Sequence, residues 1–256
     1  MFDAIYFRVA SLLRKQGYLL QRLPQSQHFQ GDIPFPEHYA GPEHFWRFYR
    51  PWLAPEFDRL LTQKITENTM LPKVKLYMLL SLLKQTRLVE GDILEAGVWK
   101  GGSAQLMVNY LNSGCSKKEV WLLDTFAGYD EINPAKDCCT AHDGIMLGKS
   151  ADEIREVFSN EKVRIHVVEG AIPETLRDVS AKQIAFAHID VNLYNPTLAV
   201  TQFCLERMPK GGIIVFDDYG WPETYGARVA IDEVCADFGH EVISVPETTQ
   251  AFLIRV

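Results

Sequence analysis

From residue 90 onward, short apolar runs alternate with amphipathic stretches. The runs are 92–97 (DILEAG), 119–124 (EVWLLD), 162–168 (KVRIHVV), 184–190 (IAFAHID) and 212–217 (GIIVFD). Between them, apolar residues recur at helical spacing near 102–112, 150–159, 173–179, 196–208 and 226–238. Continuous apolar strands alternating with helices predict an α/β fold, a doubly wound and mostly parallel sheet covered on both faces. Near the end, EVISV and QAFLIR flank Pro246-Glu-Thr-Thr and predict a terminal antiparallel strand pair.

The chain before residue 70 has a different texture. Phe2, Ile5, Tyr6, Val9, Leu12 and Leu13 share one helical face, which suits packing on a core or a partner subunit better than a membrane surface. Six prolines between Pro24 and Pro55, with aromatics among them, rule out long regular elements over 21–58. A helix is predicted over 72–86, with Pro72 in its first turn and a stripe of Val74, Tyr77, Met78 and Leu82. This places a boundary near residue 70. A helical and irregular extension over 1–70, a lid or oligomer contact, precedes a catalytic domain over 71–256.

Composition narrows the classes. Lys plus Arg number 26 against 33 Asp plus Glu, a net charge of −7. That balance opposes a nucleic-acid partner, although a local basic pocket stays open. Five cysteines without a C-x-x-C pair predict reduced thiols, not a disulfide scaffold or structural zinc. No apolar run approaches the roughly 20 residues that span a bilayer. Asp3, Arg8 and Arg14 interrupt the N-terminus, so a signal peptide is not expected and the expected location is cytoplasmic.

The first run ends in Glu95-Ala-Gly97-Val-Trp-Lys-Gly101-Gly-Ser103 and a helix follows. In a doubly wound sheet this turn lies at the ligand crevice, and glycine lets the backbone approach a ligand. The spacing is G-x-x-x-G-G, so the dinucleotide fingerprint G-x-G-x-x-G is absent. A carboxylate at Glu95 would repel a pyrophosphate, whereas S-adenosylmethionine carries a sulfonium and an ammonium. Asp124, ending the second run, suits ribose hydroxyls.

Two later runs end in acids, Asp190 in one and Asp217-Asp218 in the other. Three carboxylates at one sheet edge repel each other unless a cation joins them. Oxygen-only ligation favours magnesium, with calcium or manganese also suited.

The segments LEAGVWKGGSA, LLDTFAGY, AHIDVNLYNPT and GGIIVFDDYGWPETYGARVAIDE together resemble the macrocin O-methyltransferase family. The resemblance spans about residues 66–256. It implies a class I methyltransferase using S-adenosylmethionine and Mg2+ on sugar hydroxyls of natural products, often as a homo-oligomer. By matching motif it implies metal ligation by Asp190, Asp217 and Asp218. It implies cofactor contacts from Glu95, Gly97, Gly101, Ser103 and Asp124, with Thr69, Met70 and Gly170 near the cofactor as well.

One position departs from the pattern. The family reads Asp-x-Asp-Leu-Tyr where this chain has Asp190-Val-Asn192-Leu-Tyr194, and the second Asp is the implied general base. An amide has no useful basicity. His142, in a segment over 127–150 that is too long for an ordinary loop, is the candidate substitute. His188 reads as a hydrogen-bonded core histidine, and Tyr219, Trp221 and Tyr225 as candidate pocket walls. The expected reaction is O-methylation of a small-molecule, glycosylated acceptor. Rival readings are a catechol-like or amine acceptor, and a cofactor-binding member without activity, which Asn192 keeps open.

Overall fold

The computed structural model describes residues 50–256, apart from 115, 131, 139–145 and 247. The helix expected near the N-terminus, most of the proline-rich segment and His142 lie outside the described residues. The chain divides into two compact units, Met1–Asp58 and Arg59–Val256. The described part of the smaller unit is a 3-10 turn, Pro51–Leu53, and one α-helical turn, Pro55–Asp58.

The larger unit is built on a seven-stranded sheet. Its strands are β1 (Asp92–Ala96), β2 (Val120–Asp124), β3 (Ile165–Glu169), β4 (Ile184–Ile189), β5 (Ile213–Phe216), β6 (Ile243–Ser244) and β7 (Ala251–Ile254). The order is β3-β2-β1-β4-β5-β7-β6. β1 to β5 run parallel, and β7 lies antiparallel between β5 and β6. The order reverses between β1 and β4. Connections there leave in opposite directions and open a crevice at the strands' carboxyl ends.

Helices α1 (Lys73–Gln85), α2 (Gly102–Ser113), α3 (Ala151–Val157), α4 (Tyr194–Arg207) and α5 (Tyr225–Asp237) cover the sheet. Side chains alternate across a strand, so neighbouring residues feed opposite cores. Leu94 and Ala96 pack with Val200, Phe203 and Cys204 of α4 and Ile231 of α5. Ile93 packs with Leu79 and Leu83 of α1 and Met107 and Leu111 of α2. Burial on both faces explains why these strands read as unbroken apolar runs. Ser150 and Glu153 form a reciprocal capping box that starts α3.

Two expectations need correction. The stretch over 173–179 is a five-residue 3-10 turn, Glu174–Asp178, not an α-helix. It lies in a short connection from β3 to β4, and so few residues seldom repay helix nucleation. On α1 the fully buried stripe is Leu76, Leu79, Leu80 and Leu83. The stripe of Val74, Tyr77, Met78 and Leu82 is only half-buried. Both stripes obey the helical period, and packing decides between them. Among the described residues no helix is long and apolar enough to cross a membrane.

Phe186 on β4 is fully buried at the centre of one core. Phe186→Ala is expected to cost about 3–5 kcal/mol, read as a lower denaturant midpoint in equilibrium unfolding. A midpoint within error of native would show that the β4 core is not limiting.

Candidate active site

A cavity of about 760 Å³ opens at the carboxyl ends of the parallel strands. Gly97, after β1, has φ +88°, and a Cβ there would stand 1.8 Å from the carbonyl oxygen of Asp190. Only glycine permits this approach. The backbone completes the contact, with Asp190 N–H donating to Ala96 O at 2.8 Å and Gly97 N–H to Leu123 O at 2.9 Å. The ends of β1, β2 and β4 are thereby locked together.

Asp124 fastens the turn from the other side. Its Oδ2 accepts N–H bonds from Val98 at 2.7 Å and Trp99 at 2.9 Å, and its Oδ1 accepts from Phe126 N–H at 2.8 Å. Trp99 and Phe126 both hold positive φ, so this carboxylate secures two uncommon backbone conformations. Asp124 lines the cavity, yet most of its accepting capacity is spent on the chain itself.

Gly97, Ser103, Asp124, Thr69, Met70 and Gly170 all line the cavity. Glu95 and Gly101, also expected at the cofactor, do not. Glu95 stands opposite His188 in the β1–β4 register, fully buried, and His188 Nδ1 shares a 2.8 Å hydrogen bond with Glu95 Oε1. Burial opposes protonation of His188, but the Glu95 bond and the nearby acids outweigh it and raise its pKa. Gly101 takes φ +86° at the start of α2 and faces Ile154 and Phe158 of the core.

The three aspartates meet in one corner. Asp190 follows β4, and Asp217 and Asp218 follow β5, where Asp217 N–H donates to Ile189 O at 3.0 Å. Asp217 and Asp218 are buried and all three line the cavity. Lys75 Nζ of α1 lies 2.6 Å from Asp217 Oδ2, and Gln250 Nε2 donates to Asp217 Oδ1 at 2.8 Å. Asn192 has φ +63°, and its backbone N–H donates to Asp218 Oδ2 at 3.0 Å. Burial, followed by the charge of Asp217, pushes Asp218 up to about 7. Burial, then Asp217 and Asp218, raises Asp190 well above the carboxylate range.

One ammonium therefore stands against three carboxylates. The surplus negative charge in a buried corner fits a divalent cation held by oxygen. A ligand atom of His188 also lies within 4.8 Å of those of Asp190 and Asp217, so a nitrogen donor adjoins the acids.

Spacing alone missed Lys75, Gln250 and Tyr129. Tyr129 lines the cavity, and burial, then Asp218, Asp190 and Asp137, raise its phenol pKa. Asn192 and Trp221 line the cavity, whereas Tyr219 donates to Asp232 and Tyr225 is exposed without lining it. His142 lies outside the described residues. The segment that carries it is moored at both ends. Tyr194 N–H of α4 donates to Asp137 Oδ1 at 2.8 Å, and Lys149 N–H donates to Trp99 O at 3.1 Å.

A profile of the macrocin O-methyltransferase family matches residues 65–239. The 8-demethyl-8-(2,3-dimethoxy-alpha-L-rhamnosyl)-tetracenomycin-C 4'-O-methyltransferase of Streptomyces olivaceus is 27% identical over 141 residues, 51% of this chain and 54% of its own. The mycinamicin III 3''-O-methyltransferase of Micromonospora griseorubida is 26% identical over 57% of this chain and 60% of its own. The alignments thus span less than two thirds of these relatives' lengths. Among solved structures, the O-methyltransferase NovP superposes with a TM-score of 0.64 at 23% identity, covering 74% of this chain and 82% of its own. That likeness is one of fold.

The aspartate corner carries a pH signature in cation-free protein. Below about 3.8 Asp218 is protonated in both the folded and the unfolded chain. Between there and about 7 the unfolded chain releases its proton while the fold retains it, so stability falls as pH rises. Native protein is therefore expected to lose melting temperature relative to Asp218→Asn across pH 4–7, and parallel curves would contradict the shift.

Proposed function

The chain belongs to the macrocin O-methyltransferase family, and on that footing we propose that it moves a methyl group from S-adenosylmethionine to a hydroxyl of a sugar or small natural product, with Mg2+ bound at the aspartates. The observation that carries this reading is the placement of the glycine turn and the three carboxylates on one cavity. A homo-oligomer and a cytoplasmic location go with the reading as proposals.

Asp190, Asp217 and Asp218 would hold the cation, and Lys75 and Gln250 keep Asp217 in a fixed orientation for it. A bound divalent cation supplies a Lewis acid that acidifies an acceptor hydroxyl. The turn at Gly97–Trp99 gives the cofactor close backbone approach, and Asp124 holds that turn rigid. Fixing both partners in one corner supplies proximity and direction, the main resource for transfer at an activated methyl. Tyr129, its phenol pKa raised by burial and then by the nearby acids, stays protonated and does not serve as the base. Asn192 cannot take the acceptor proton, so His142 is proposed as the base.

Calorimetry is expected to show S-adenosylhomocysteine binding and no NAD binding, and equal NAD binding would end this reading. Chelator, or Asp217→Ala, is expected to abolish turnover while the cofactor still binds. Full turnover in metal-free chelator would remove the metal.

Asn192→Asp is expected to raise turnover at neutral pH, and His142→Ala to lower it, within the roughly 10²–10⁴-fold that general-base catalysis contributes. The pH–rate profiles of the three proteins decide this. Unchanged profiles would refute both bases.

A further inference from the structure

We propose that His188, oriented by Glu95, is a nitrogen donor of the aspartate metal site and gives that site an affinity for borderline transition ions, such as Co2+, that the acids alone would not; this rests on the metal-assisted reading above. Among the described residues, His188, Asp190 and Asp217 form a group whose ligand atoms all lie within 4.8 Å of one another. Sheet geometry assembles the group. Asp190 follows His188 by two positions, so both side chains leave the chain on one side. Val215 of β5 stands opposite His188, and Asp217 follows Val215 by two positions in turn. The register thus brings an imidazole to the two acids.

The second ground is an orphan atom. His188 is fully buried, and its Nδ1 shares the 2.8 Å bond with Glu95 Oε1. Its Nε2 is buried without a hydrogen-bond partner. A buried imidazole nitrogen left unpaired is costly, and a cation at that atom removes the cost. The tautomer that donates Nδ1–H to Glu95 carries its lone pair on Nε2. A carboxylate on the far nitrogen is also the usual support of a metal-binding histidine, because it fixes the ring and strengthens the donor. Glu95 Oε2 has no partner either, so this carboxylate is given over to His188.

The placement suits an open site. Asp190 and Asp217 line the cavity, whereas His188 and Glu95 do not. The imidazole would therefore meet a cation from the protein side and leave the cavity side to an acceptor oxygen. Asp217 keeps capacity for the cation. Lys75 and Gln250 each take one of its oxygens, and a carboxylate offers about four lone-pair sites. Oxygen donors alone suit Mg2+, while an imidazole adds affinity for later first-row ions, rising from Mn2+ through Co2+ to Ni2+.

The test uses full-length protein stripped of metal, with no acceptor present. Calorimetry compares Mg2+ and Co2+ binding by native, His188→Gln and Glu95→Gln proteins. His188→Gln is expected to lose at least about tenfold in Co2+ affinity while Mg2+ affinity moves less than about threefold. Glu95→Gln is expected to weaken Co2+ binding about tenfold. Should a buried variant fail to fold, the native protein decides alone. Its bound Mn2+ is expected to show the 14N modulation of a directly bound imidazole in electron spin-echo spectra. Absence of that modulation, its persistence in folded His188→Gln, or equal losses of Co2+ and Mg2+ affinity in that variant would each overturn the proposal. Failure of native protein to bind any of the three ions would overturn the metal-assisted reading itself, and this proposal with it.

Discussion

Buried negative charge at the ends of β4 and β5 is the constraint around which this corner is arranged. Asp217 and Asp218 are buried and Asp190 half-buried, and burial first, then mutual repulsion, raises the pKa values of Asp190 and Asp218. Separate parts of the chain answer that repulsion. Lys75 comes from α1, 142 positions before Asp217, and Gln250 from the approach to β7, 33 positions after it. The backbone N–H of Asn192 meets Asp218. The antiparallel β7 has a clear purpose in this light, since it extends the sheet beside β5 and brings Gln250 to Asp217.

The corner also depends on a steric constraint just after β1. Gly97 lets the first turn pass against the Asp190 carbonyl, and Asp124 clamps the same turn through two backbone N–H groups. The turn proposed to meet the cofactor and the acids proposed to hold the metal are therefore one mechanical piece. Any displacement of β4 at Asp190 would be felt at Gly97. Methyl transfer gains most from fixed distance and direction, so such coupling serves the proposed chemistry better than two independently placed loops would.

Legibility in the sequence followed a physical line. β1, β2, β4 and β5 were readable because burial on both faces makes them continuous apolar runs, whereas β3, half-buried at the sheet's edge, was readable from its apolar positions alone. The three aspartates were readable because they interrupt such runs at their ends. Glu95 does not line the cavity, and a strand's sequence does not reveal that its side chain faces His188 inside the sheet. Gly101 likewise does not line the cavity, and its left-handed backbone serves the start of α2 against Ile154. Lys75 was invisible because a polar residue between helical apolar positions reads as solvated, and only the tertiary fold brings it to Asp217. The segment 173–179 carried helical spacing but too few residues to sustain a helix.

Charge balance gives Asn192 a reason beyond the loss of a base. The position needs a left-handed backbone, φ +63°, which asparagine tolerates better than most residues. What anchors Asp218 is the main-chain N–H, which aspartate would retain. The difference between the two residues at 192 is thus one charge and one proton acceptor. With Lys75 and the proposed divalent cation facing three carboxylates, asparagine would leave the corner neutral, whereas aspartate would leave it one charge negative. An unbalanced buried carboxylate has a raised pKa, and a carboxylate poised nearer neutrality is a more effective base at neutral pH. The same surplus that makes aspartate useful at 192 makes it costly to bury. This chain holds a lysine bound to Asp217 and an amide at 192, and in the proposed reaction that pairing would leave the acceptor's proton to a group outside the corner.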